Sequence, residues 1–140
     1  MTDRIEKDRY YLNITATVSR RSPCIRRHYG AIIVKHDEII ATGYNGPPRG
    51  MENCCDTGYC GRAGHKHNDG DYSTCPAVHA EQNAMISAAR RDMIGSTMYL
   101  YGIDMETGEI LDAEPCPICR NMILNAGIKK IVNWSETKWL

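Results

Sequence analysis

Two short clusters in this chain join residues that bind metals to one that moves protons. The first is His79-Ala80-Glu81, and the second is Pro115-Cys116-Pro117-Ile118-Cys119. Cysteines at positions i and i+3 near a helix start project to the same side. Backbone N–H groups point there and favour the thiolate, the metal-binding form. One imidazole with two thiolates selects zinc over magnesium or calcium. Three protein ligands leave a fourth tetrahedral position open, as in catalytic rather than structural zinc sites. Glu81 lies two residues past His79 and need not bind the metal. It can instead take a proton from a zinc-bound water, whose pKa the metal lowers to about 7, and pass it on. Each cluster alone is a weak signal, since a single C-x-x-C also fits a redox pair or half of a structural zinc site.

These clusters need elements to hold them. Residues 3–20 read as a helix with Ile5, Leu12 and Val18 among its apolar positions, ended at Ser22-Pro23 because the residue before proline avoids the helical region. Residues 30–34 (GAIIV) and 38–42 (EIIAT) read as strands. The short polar link Lys35-His36-Asp37 joins them as an antiparallel hairpin. Residues 43–50 (GYNGPPRG) form a turn-rich loop. Residues 51–78 combine weak periodicity, several glycines and most of the additional cysteines; so long a loop in a compact domain is functional or held by something. Residues 78–91 (VHAEQNAMISAARR) read as one continuous helix rich in alanine. A strand follows at 97–103, then an excursion with a turn at Glu106-Thr107-Gly108-Glu109. Proline opens a helix at 117–126, Gly127 suits its C-terminal cap, and 128–133 form a last strand. The pattern predicts one α/β domain over residues 1–140, with helices covering a mixed sheet.

Composition narrows the class. The chain has 140 residues, 42% of them hydrophobic, which suits an ordered globule. Formal net charge is zero, which argues against a protein built to coat nucleic acid. No apolar run reaches the roughly 18 residues of a membrane span, and the charged start lacks the apolar core of a signal peptide. Seven cysteines without such a signal fit a disulfide framework poorly and metal binding well. A cytoplasmic protein is expected.

Taken together, H-x-E and P-C-x-x-C match the signature of zinc deaminases acting on nucleobases. The chain resembles the cytidine and deoxycytidylate deaminase superfamily, most of all its deoxycytidylate branch. The likeness rests on CIRRHYG from Cys24, the strand pair with its GYNGPP loop, HAEQNA from His79, PCPIC, and AGIKKIV from Ala126. It covers nearly the whole chain. It implies a three-layer α/β/α fold with a mixed five-stranded sheet and hydrolysis of dCMP to dUMP and ammonia, supplying thymidylate synthesis. It also implies a homo-oligomer, often a hexamer, with dCTP and dTTP as effectors. One departure stands out: residues 102–114, before the P-C-x-x-C segment, are longer than is usual.

Further residues are candidates for the substrate. His79 and Arg90 are eleven residues apart. On one helix that spacing brings them within about 20° of the same face and about 16 Å apart along the axis. That separation suits a 5′-phosphate, and the family resemblance points the same way. Arg26 and Arg27 can also meet a phosphate, or stand as surface charges. Asn45, between glycines of the GYNG loop, is placed at the base or sugar, or serves as a left-handed turn residue. Ala80 is counted with the substrate-binding residues. Cys24, Cys54, Cys60 and Cys75 can hold a second, structural zinc, with Cys55, His65 and His67 as competing ligands; alternatively they are buried free thiols. Other readings are a deaminase of dCTP, CMP, cytidine or tRNA adenosine, and, from another class, a zinc-stabilised binding module without turnover.

Overall fold

A computed structural model describes residues 3–61 and 75–140. One side of its sheet is a hairpin of β1 (Arg27–Lys35) and β2 (Glu38–Tyr44). His36 and Asp37 turn the chain with φ of 52° and 60°, the left-handed pair that a two-residue hairpin demands. Along β1, Ala31 and Ile33 face one core cluster while Ile32 and Val34 face another. A strand whose two faces are both apolar must be covered on both sides. α1 (Lys7–Ser19) covers one face, packing Tyr11 and Leu12 on Ile32, Val34 and Tyr99. On the other face, Ala80, Ala84, Met85, Met93, Ile123 and Ala126 meet Ala31, Ile33, Met98 and Leu100.

The sheet order is β2-β1-β3-β5-β6, with β3 (Thr97–Asp104), β5 (Lys130–Val132) and β6 (Thr137–Trp139). β3 runs antiparallel to β1 and parallel to β5. The parallel pair requires a crossover, and α5 (Pro117–Ala126) supplies it. The expected three layers and mixed sheet are therefore present, but there are six strands rather than five. The excursion after β3 folds back as β4 (Ile110–Leu111), and the chain beyond β5 returns as β6. Both are too short to leave a periodicity that could be read.

The helix expected over residues 78–91 is two. α3 (Ala80–Ile86) ends at Ser87, Ala89 is extended, and α4 (Arg90–Met93) starts afresh; α2 (Cys54–Thr57) is a single turn earlier in the chain. Tertiary packing overrides alanine's helix propensity here. Met85 and Met93 are both buried in the same cluster as Ala80 and Ala84, and the redirected chain brings both there. The expected helix at 3–20 begins only at Lys7.

Gly43 sets how closely α3 approaches the sheet. A Cβ at that position would lie 2.4 Å from both the Ala80 carbonyl oxygen and the Ala84 nitrogen. Gly43→Ala should therefore push α3 off β2 and lower unfolding stability by about 1–3 kcal/mol, measured by urea denaturation. Unchanged stability would show that α3 yields freely.

Candidate active site

The two helix starts named by sequence meet on one face of the sheet. His79 is the N-cap of α3, extended at φ −72° and ψ 154°. Its backbone N–H donates to Gln82 Oε1 at 2.9 Å, which holds that turn of chain. Cys116 is the N-cap of α5, with Pro117 in the first helical turn, where a missing N–H costs nothing. The Cys119 N–H points at Cys116 Sγ, 3.5 Å away. The imidazole Nδ1 of His79 lies 3.2 Å from Cys119 Sγ and 3.6 Å from Cys116 Sγ.

These distances test whether zinc fits. Bonds of about 2.0 Å to nitrogen and about 2.3 Å to sulfur at a tetrahedral centre put N and S about 3.5 Å apart. His79 Nδ1 and the two sulfurs match that edge length. Among the described residues, this is the one group of three or more His, Cys, Asp or Glu residues whose ligand atoms all lie within 4.8 Å of one another. The chemistry of the donors agrees. Both thiols are buried. Burial, the Glu81 carboxylate and the neighbouring Cys116 push the Cys119 thiol far above its ordinary range. Only a cation at this point makes two thiolates beside a carboxylate tolerable.

Glu81 is 7% exposed and reaches Cys119 with its side chain. Burial raises its pKa, against the opposing pull of its own backbone amide and Cys119. A carboxyl raised in this way holds an accepted proton more tightly than an exposed one and is better suited to return it to a substrate.

The cleft over these residues encloses about 840 Å³, including its open mouth. Its lining includes His79, Ala80, Glu81 and Cys116 together with Arg26, Arg27, Tyr29 and Asn45. Ala80 and Arg26, both expected at the substrate, line the cleft. Asn45 also lines the cleft, though not as a left-handed turn residue. Its Oδ1 accepts from the Tyr29 N–H at 2.9 Å and its Nδ2 donates to the Arg27 carbonyl at 3.0 Å. Its first task is to hold the start of β1.

Arg90 needs correction. It stands on α4, not on the helix of Glu81, so the shared face with His79 does not exist. Its Nη2 donates to the Asn125 carbonyl at 3.0 Å, and it is not among the residues lining the cleft. Tyr29 was not singled out by sequence reasoning. The signal was the strand period, which puts Arg27 and Tyr29 on the same face as Ala31 and Ile33.

The four cysteines Cys24, Cys54, Cys60 and Cys75 gather near one another, and Cys24, Cys60 and Cys75 form part of the cleft wall. Burial first, then the other three thiols, raise Cys24 to about 11 despite a hydrogen bond from Ser22. Their sulfurs do not form a set at ligating distance. His65 and His67 lie outside the described residues, and Cys55 is exposed.

A buried carboxyl beside a three-ligand soft-metal cluster at the wall of an open cleft defines a zinc hydrolase that works by proton shuttling. Comparison with known proteins then places it. Residues 5–135 match the family model "Cytidine and deoxycytidylate deaminase zinc-binding region". The chain is 37% identical over 140 residues to a deoxycytidylate deaminase of Mycobacterium phage D29, covering 96% of this chain and 98% of that protein. It is 36% identical to a deoxycytidylate deaminase of Schizosaccharomyces pombe, of whose length it spans 36%. Among solved structures, the cyanophage S-TIM5 dCMP deaminase in complex with dCMP and dUMP superposes with a TM-score of 0.63 at 29% identity, covering 93% of this chain and 83% of that one. The chain belongs to the cytidine and deoxycytidylate deaminase family.

His79→Ala, Cys116→Ser and Cys119→Ser should each remove one zinc per chain, read by elemental analysis. Glu81→Gln should retain that zinc and lose at least about 100-fold in kcat. An unchanged zinc count in the three ligand variants would contradict the assignment, as would near-normal turnover in Glu81→Gln.

Proposed function

We propose that this protein hydrolyses dCMP to dUMP and ammonia. The observation that carries the reading is one cleft lined both by His79 and Cys116 of the metal-ligand cluster with Glu81 and by the Arg26–Arg27 pair. The cluster with Glu81 suits an amino-substituted ring and the arginine pair an anion. The relatives named for deoxycytidylate and the structure holding dCMP and dUMP support the same substrate.

His79, Cys116 and Cys119 would hold zinc, which would supply a Lewis acid able to make water nucleophilic near neutral pH. Glu81 takes the proton of the attacking water on its carboxylate and delivers it to the ring nitrogen N3. It then carries the second proton of that water to the exocyclic amine, which leaves as ammonia. The buried setting that raises its pKa makes it a competent donor for that return step. The Arg26 and Arg27 guanidiniums meet the 5′-phosphate, a geometry that arginine suits better than lysine.

The reading extends to a second, structural zinc held by the Cys24, Cys54, Cys60 and Cys75 thiols, which closes around the metal on binding. It extends also to a cytoplasmic homo-oligomer responsive to dCTP and dTTP. Exposed Ile86, Ile94, Ile118, Met122 and Leu124 on and beside α3, α4 and α5 support self-association. Among the described residues, no helix is long and apolar enough to cross a membrane.

Ammonia release should favour dCMP over deoxycytidine, and CMP, dCTP and RNA should be poorer substrates. Arg27→Gln should cost about 2 kcal/mol, or about 30-fold in kcat/KM, on dCMP alone. Equal rates on nucleoside and nucleotide would contradict the phosphate role. Zinc analysis should give two ions per chain, and a single ion with unchanged stability in Cys24→Ser would refute the second site.

A further inference from the structure

The excursion between β3 and the Cys116 segment has no part in the chemistry above, yet it packs against Arg26 and Arg27, which line the cleft. Asp104 ends β3 and stands directly across the ladder from Arg27. Its Oδ1 accepts from the backbone amides of Glu106 at 2.9 Å and Thr107 at 3.2 Å. The Asp104 N–H donates to Glu109 at 2.9 Å, and Gly108 returns a bond to the Asp104 carbonyl at 2.8 Å. The turn therefore fixes the carboxylate before any ligand arrives. The other oxygen, Oδ2, lies 3.8 Å from Arg27 Nε, both side chains being about one-fifth exposed.

Arg27 has limited freedom in that position. Its Nε is buried without a hydrogen-bond partner, so Asp104 acts on it through charge rather than a formal bond. Its Nη1 donates to Tyr29 Oη at 3.5 Å, which lays the guanidinium along the strand toward the cleft. Tyr29 is itself seated over Gly102, where a Cβ would come within 2.5 Å of the ring. The Met105 N–H donates to the Arg26 carbonyl at 3.1 Å and carries the pairing one step further. Residues 102–105 thus hold the backbone or side chain of Arg26, Arg27 and Tyr29 together.

We propose that Asp104 is a positioning residue that fixes the Arg27 guanidinium for the phosphate of the nucleotide, so that the turn after β3 sets the preference for nucleotide over nucleoside. This rests on the reading of Arg27 as a phosphate contact. An opposite charge at a cross-strand position is worth up to about fivefold in an equilibrium, and that is the size of effect to look for.

Asp104→Asn is the direct test, because the amide oxygen keeps the turn acceptor while the charge is lost. The zinc-loaded enzyme would be assayed on dCMP and deoxycytidine, with KM and kcat separated. D104N should raise KM for dCMP about fivefold, with a smaller change in kcat, and so reduce the preference for dCMP. In an Arg27→Gln background the same change should alter the preference no further. If D104N melts below the assay temperature, Asp104→Ser, whose hydroxyl also accepts from the turn amides, takes its place. Equal losses on both substrates, an unchanged KM for dCMP, or additive losses in the double variant would overturn the role of Asp104. If wild type shows no preference for dCMP, the phosphate reading fails together with this one. If wild type prefers dCMP and D104N keeps that preference, Asp104 alone is wrongly assigned.

Discussion

Charge compensation at the junction of α3 and α5 is the constraint on which the rest of the molecule depends. Cys116, Cys119 and Glu81 are buried together, and three groups able to carry negative charge would repel one another in a dry site. A cation bound by His79 and the two thiolates relieves that repulsion. The start of α5 contributes as well, since the Cys119 N–H faces Cys116 Sγ. The sheet must deliver both helix ends to the same point, within a few tenths of an ångström of a tetrahedral edge. Gly43 and the core beneath α3 and α5 do so by packing helix backbone close against the strands.

The cleft joins two groups of side chains of opposite character, and different parts of the chain build them. The metal ligands stand on helix starts. The arginine pair stands at the beginning of β1, held by Asn45 and by the turn after β3. An asparagine whose amide bonds twice to backbone fixes the strand as an additional ladder partner would.

Much of the metal site was legible in the sequence because its information is local. Cys116 and Cys119 are one helical turn apart, and His79 and Glu81 are two residues apart, so spacing alone implies which side chains converge. The pairing of the two clusters came from chemistry, since neither completes a site alone. The arginine group was harder to read. Arg90 was placed by extending α3 through Ser87, and nothing local in an alanine-rich stretch announces that Met93 must turn back into the core. Tyr29 and Asp104 owe their roles to cross-strand neighbours, which depend on register. The extra strands β4 and β6 exist only as partners for β3 and β5.

The sequence separation of the metal ligands has a consequence for the order of folding. His79 lies 40 residues from Cys119 and 37 from Cys116 in the chain. The strand between them, β3, is the one that pairs with both β1 and β5. The ligand set therefore does not exist until β3 has been inserted into the sheet and α5 has crossed over it. Contacts so far apart in sequence form late and slowly. Metal capture is then a seal on a finished topology rather than a nucleus for it, and the rate at which the nascent chain takes up zinc reports the closing of the sheet.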